Sequence, residues 1–275
     1  MTASYASFAQ EAGGADTKDT TGTPEKTHFV AGILYHSGLN YYGRVDSLHS
    51  KGICPFLGVS LKNGLYLNTT FVFIRNSLQS QYAATLLEAG YSFINKKKNW
   101  TGTFSVSRFF YQGDIDLIQS AVKEAASASI THLNKVMNIT LGINAKWSDK
   151  TDLGLQTGLD HIFRVPRVFG GDVLVIDPSF TVFAGTQNFT STYYQQKKFL
   201  FLPVGQEQVT TDSRAFHILA YEASLPVIYG YRWFNLIFSP AWVSPQHLIT
   251  VPGQPELSER GENLLYVTVT LKLTL

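Results

Sequence analysis

Residues 264–275 constrain the chain more than any other stretch. Leu265, Val267, Val269, Leu271, Leu273 and Leu275 fall on one side of an extended backbone, and Leu264, Tyr266, Thr268, Thr270, Lys272 and Thr274 on the other. A period of two sustained that far reads as a strand, and a long one by soluble standards. The alternation recurs upstream. Trp100, Phe104, Val106 and Phe110 oppose Thr101, Thr103, Ser105 and Ser107; Ile139, Leu141, Ile143, Ala145 and Trp147 oppose Asn138, Thr140, Asn144 and Lys146. Residues 153–164, 173–184 and 234–242 repeat it.

What the two faces carry decides the solvent. Charged residues are 15% of the chain and hydrophobic ones 44%, whereas an ordinary soluble domain has about 25% charged residues. The polar faces hold Thr, Ser, Asn and Gly with an occasional charge, which suits a crowded wet interior. The apolar faces hold Leu, Ile, Val and Phe, as lipid contact requires. No run approaches the roughly 18 apolar residues of a membrane helix. The expected fold is therefore all-β, a closed antiparallel transmembrane β-barrel of about 12 strands. A soluble lipocalin-like barrel or sandwich also alternates and stands as the alternative.

Expected strands lie near 27–36, 54–62, 65–75, 82–94, 99–111, 119–132, 138–148, 153–165, 172–187, 214–228, 233–243 and 263–275. The 119–132 piece is ambiguous, because AVKEAASA at 121–128 also suits a short helix. Links after even strands are short, among them Asn63-Gly64, a signal for a two-residue type I′ hairpin. Links at 37–53, 188–213 and 244–262 are long. Short turns at one end and long loops at the other match turns in the periplasm and loops outside. Trp100 and Trp233 then begin upward strands at the inner rim. Trp147 and Trp242 end upward strands at the outer rim, where amphipathic rings settle at the membrane interface. Because hydrocarbon offers no partner to a free N–H or C=O, the first and last strands are expected to pair.

Residues 1–26 divide from this pattern. Ala6-Ser7-Phe8-Ala9 before Gln10 resembles the cleavage end of a secretory signal peptide, and 10–26 is small and polar, a disordered lead-in. Residues 27–275 form the barrel.

The terminal LLYVTVTLKLTL, YEASLPVIYGYRWFNLIFSPAWVSP and TVFAGTQNFTSTYY resemble small outer-membrane β-barrel proteins of Bacteroidota-type Gram-negative bacteria. The resemblance implies the bacterial outer membrane, contact with its lipid and lipopolysaccharide, and insertion by the outer-membrane assembly machinery. Such barrels end in an aromatic residue; this chain ends in Leu275, a departure that bears on recognition by that machinery.

Chemistry is sparse. Charges balance, with 22 Lys and Arg against 20 Asp and Glu, which excludes the basic face of a nucleic-acid binder. One Cys, Cys54, excludes a disulfide scaffold and a cysteine-built metal cluster. No His-x-Ser pair of the kind used by outer-membrane phospholipases and lipid A deacylases occurs. His36-Ser37 and His49-Ser50 are adjacent, so extended backbone would point them apart. No catalytic residue, metal site or cofactor is expected. The sequons at Asn68 and Asn188 have no use in such a protein.

The lumen is the candidate site. Lys62, Glu88, Lys146, Asp160, Arg164, Asp177, Glu222 and Lys272 are expected inward, with both signs present. They suggest charges that pair and plug the lumen, or that line a narrow pore for a small solute. A lumen of about twelve strands falls between a filled small barrel and an open porin. The other hypothesis is a non-conducting scaffold or adhesin. Tyr193, Tyr194, Lys197 and Lys198 in the 188–213 loop would then bind a glycan, lipopolysaccharide or protein partner.

Overall fold

The computed structural model describes residues 26–46, 48–112, 122–188, 215–248 and 261–275. Its strands are β1 (His28–His36), β2 (Asn40–Tyr41), β3 (Arg44–Val45), β4 (Lys51–Ser60), β5 (Leu65–Arg75), β6 (Ser80–Ile94), β7 (Trp100–Tyr111), β8 (Glu124–His132) and β9 (Asn138–Trp147). They continue with β10 (Thr151–Asp160), β11 (Phe163–Pro166), β12 (Asp172–Ile176), β13 (Ser179–Gly185), β14 (His217–Ser224), β15 (Val227–Tyr231), β16 (Phe234–Pro245) and β17 (Leu264–Thr274). β2 and β3 form a separate hairpin, and all the others join one antiparallel sheet.

That sheet has twelve staves, because three are interrupted without losing register. Asp160 faces Ser179 and Phe163 faces Ile176, so β10 and β11 run on against β13 and β12. Ser179 faces Ser224 and Ile176 faces Val227, so β14 and β15 are likewise one stave. Two of the breaks fall at Pro178 and Pro226, which have no N–H to donate, and the third, at His161-Ile162, lies opposite Pro178. The proline carbonyls still accept, from His161 N–H at 3.2 Å and Asp177 N–H at 3.0 Å.

Closure is complete. β1 pairs with β17 from Val30–Thr274 to His36–Thr268. Phe29 and Leu275 exchange N–H···O bonds of 2.9 and 2.8 Å. The sides sort as the alternation requires. Leu265 is 72% and Ile143 62% exposed on the outside, while Thr268 and Lys272 are 1% and 2% exposed within. A lipocalin-like barrel or a sandwich would turn the leucines in, so that alternative falls. Among the described residues no helical element contributes to the barrel.

One ambiguity resolves in favour of the expected strand, and one local expectation is corrected. Residues 124–132 are extended rather than helical. Ser127 and Ser129 meet Ser105 and Thr103 across the ladder, with Oγ separations of 2.8 and 3.2 Å, and non-local pairing overrides the helix preference of alanine. The link at Asn63-Gly64 is a three-residue loop, not a type I′ turn. Gly64 N–H reaches Leu61 O at 2.9 Å, Leu61 N–H reaches Leu65 O at 2.8 Å, and only Gly64 has positive φ, 91°. Asn63 keeps a negative φ while its Oδ1 accepts Leu65 N–H at 3.2 Å.

The outward face sets the first test. Leu141 lies mid-way along β9, outward and 52% exposed. Leu141→Arg is expected to lower unfolding free energy in phospholipid vesicles by about 2–4 kcal/mol, read from urea titration. Lys62→Gln, in an exposed turn, should stay within about 0.5 kcal/mol.

Candidate functional site

The first outer loop, 37–50, turns into the barrel rather than away from it. Its hairpin pairs Asn40 with Val45 and Tyr41 with Arg44. The two central residues, Tyr42 and Gly43, have φ of 53° and 75°, the type I′ geometry. Gly43 suits this twice over, since a Cβ there would lie 2.8 Å from Pro245. Asn40 Oδ1 accepts Gly43 N–H at 3.1 Å and braces the turn. Asp46 fastens the returning limb, taking N–H bonds from Leu48 at 2.8 Å and Ser50 at 3.1 Å.

The root and tip of this loop hold different walls. Leu39 packs with Leu34, Cys54, Val72, Ile74, Ala83 and Ala84 on β1, β4, β5 and β6. Tyr41 and Tyr42 pack with Phe183, Leu219, Ala220, Ala241, Val243 and Tyr266, which belong to β13, β14, β16 and β17. The Arg44 guanidinium is 1% exposed. It donates to the carbonyls of Tyr42 and Leu219 at 3.2 Å, of Gln246 at 3.0 Å and of His247 at 3.3 Å. At the far side Lys146 Nζ donates to the hydroxyl of Tyr41 and, at 3.3 Å, to that of Tyr42. The ammonium also lies over both rings, 4.5 and 5.0 Å from their centroids. Lys146 is on β9, the seventh stave counted from β1, so the loop crosses the lumen to the wall half-way round.

Below this bridge the wall is smooth for a specific reason. Gly142 faces Gln156 and Gly154 faces Asn144 across the β9–β10 ladder. A Cβ on Gly142 would lie 2.7 Å from Gln156 Cγ, and one on Gly154 would lie 2.5 Å from Asn144 Oδ1. Each long polar side chain therefore lies flat over the glycine opposite instead of projecting toward the axis. Tyr66 over Gly90 and Asn68 over Gly58 repeat the device on β4–β6. Inward hydroxyls on β7–β9 pair sideways, Ser105 with Ser127 and Thr131 with Thr140 both at 2.8 Å.

The eight expected lumen charges are distributed differently from the expectation. Lys62 is not in the lumen; it lies exposed in the 61–64 turn, because β4 ends at Ser60. Arg164 is on the inward side of β11 but exposed, beyond the last rung that β9 shares. Glu88 is hydrogen-bonded by Tyr66 and Asn68. Asp160 accepts from Asn138 Nδ2 at 2.7 Å, and Glu222 from Tyr266 Oη at 2.9 Å. Asp177 sits at the β12–β13 junction and Lys272 is buried on β17. Among the described residues the ion pairs are His49–Glu262, Arg108–Glu124 and Lys123–Asp149, and none joins two of the eight. Neutral donors, not opposite charges, hold Glu88, Asp160 and Glu222.

Trp100 opens β7 and Trp233 precedes β16, while Trp147 closes β9 and Trp242 lies near the end of β16; all four are outward and 39–54% exposed. Tyr193, Tyr194, Lys197 and Lys198 lie outside the described residues, as do residues 1–25. His36 is buried and stacks on Tyr266 at 4.8 Å, and His49 faces Glu262 at 3.8 Å. No group of three or more His, Cys, Asp or Glu among the described residues is placed to hold a metal ion. The sequence reading passed over Tyr41, Tyr42 and Arg44. The available signal was the short alternating run Leu39–Val45 broken by Gly43, a hairpin pattern inside a long link.

No protein-family model matches the chain, and no curated protein matches it. Solved structures do. An outer-membrane channel from Pseudomonas putida F1 aligns at 13% identity with a TM-score of 0.50, over 95% of this chain and 100% of that one. LpxR from Salmonella typhimurium aligns at 10% identity with a TM-score of 0.51, over 89% and 99%. This likeness is one of fold: a β-barrel of the outer-membrane type.

Arg44 is the anchor to test. Arg44→Ala leaves the carbonyls it served without a donor and is expected to cost about 3 kcal/mol. The expected readout is a lower thermal midpoint and protease cleavage within 37–50 under conditions where wild type is resistant.

Proposed function

We propose that the protein is a narrow pore in the bacterial outer membrane that passes small solutes, constricted at its outer mouth by the first loop. One observation carries this reading: the Tyr41–Lys146 bridge spans the lumen above a wall whose side chains are laid flat. A barrel serving only to display outer loops has no use for a cleared wall, whereas a conduit does. Among the described residues neither His36 nor His49 is bonded to a serine hydroxyl, which supports a pore over catalysis at those two histidines. The outward leucines would meet membrane lipid and the outer rim lipopolysaccharide, with insertion by the outer-membrane assembly machinery. The tip of the loop is held by a few polar contacts and one apolar patch, so its displacement about the root at Leu39 is the natural gating motion.

Planar-bilayer recording tests this. Wild type should show small or infrequent conductance steps. The double variant Tyr41→Ala, Tyr42→Ala removes both the Lys146 bonds and the apolar tip, and should raise conductance or open time several-fold. Folded protein that gives no steps in either form would leave the non-conducting scaffold as the better account.

A further inference from the structure

The two sides of the lumen differ in what they leave open. On β16 and β17 the inward residues Asn235, Ser239, Thr268 and Thr270 are all at least nine-tenths buried. On β7 and β8, half-way round, inward Thr103, Ser105, Ser127 and Ser129 are only half-buried. Among the described residues the less covered side of the lumen is therefore that of β7–β10. Its wall is a ladder of hydroxyls continued by two flat carboxamides, Asn144 and Gln156. Among the described residues carboxylates stand at its margins: Glu88 on β6, bonded by Tyr66 and Asn68, and Asp160 at the inner end, bonded by Asn138. At the outer end Lys146 faces Asp152 across the ladder. Asp152 itself accepts from the Thr186 hydroxyl at 2.6 Å.

We infer that this lane selects small uncharged polyhydroxylated solutes, of polyol or monosaccharide size. The inference rests on the pore reading and names its substrate class. Hydroxyls and carboxamides both donate and accept, so they can replace the water around a polyol hydroxyl one bond at a time. An ion asks for more. It must shed a hydration shell in a narrow, weakly polarisable cylinder, and neutral single dipoles do not repay that loss. Among the described residues, the lane between Glu88 and Asp160 and below the Lys146–Asp152 rung offers no fixed charge to do so. The glycines beneath the carboxamides are part of the device, because a methyl at Gly142 forces Gln156 off the wall and into the path.

Efflux from proteoliposomes tests the lane. The full chain is reconstituted as wild type and as the loop variant Tyr41→Ala, Tyr42→Ala, with entrapped erythritol, the four-carbon polyhydroxy carboxylate threonate, or choline. Erythritol should leave several-fold faster than either ion. Gly142→Ala on the loop-variant background should slow erythritol several-fold, and Gln156→Ala added to it should restore the rate. Gly154→Ala with and without Asn144→Ala provides the same comparison if the first pair fails to reach the heat-modifiable folded form. Threonate or choline passing as fast as erythritol would overturn the solute class while leaving the pore intact. Unchanged efflux in both folded glycine variants would overturn the lane. Absence of all flux together with absence of conductance would remove the pore reading, and this inference with it.

Discussion

A polypeptide exposed to hydrocarbon must bond every N–H and C=O to itself. The whole molecule follows from that demand. The β1–β17 pairing, tied at its last rung by Phe29 and Leu275, leaves no edge. Where Pro178 and Pro226 withdraw donors, register is kept and their carbonyls remain in use. Once the sheet is closed, a period of two sends every second residue inward, so the character of the lumen is written on the same strands that meet lipid.

Closure makes a tube but does not say what fills it. Twelve staves enclose more space than their own side chains occupy, and the first loop supplies the missing matter at the outer end. Its route has a physical economy. Leu39 roots it on apolar wall near its own strands, the I′ turn at Tyr42-Gly43 reverses it in minimal length, and the tyrosines reach apolar wall and Lys146 on the opposite side. Lys146 is half of the explanation for the loop and the loop half of the explanation for a buried lysine, since an ammonium that deep requires acceptors and ring faces around it.

The strands were legible because alternation is a local property. The C-terminal stave, the 138–147 stave and the Trp positions at strand ends could be read without knowing what lay beside them. The expectation of a charge-filled lumen was not so secure. Parity assigns a side to Glu88, Asp160 or Glu222, but their partners Tyr66, Asn138 and Tyr266 come from other strands. Lys62 missed the lumen by two residues, because the end of β4 at Ser60 is fixed by a G1-type loop that the Asn-Gly dipeptide disguised as a tighter turn. Tyr41, Tyr42 and Arg44 sit in a stretch whose alternation is too short to stand out from any other loop.

Alternation and the scarcity of charge thus pointed, in sequence, to a closed membrane barrel of about twelve strands with apolar residues outside, because each strand carries its own two-faced pattern; the structure removed the soluble alternative. The tertiary structure alone decided that the first loop crosses the lumen to Lys146 and that glycines let Gln156 and Asn144 lie against the wall. Those contacts join residues on different staves. Their partners are chosen by register and closure, which no single segment encodes.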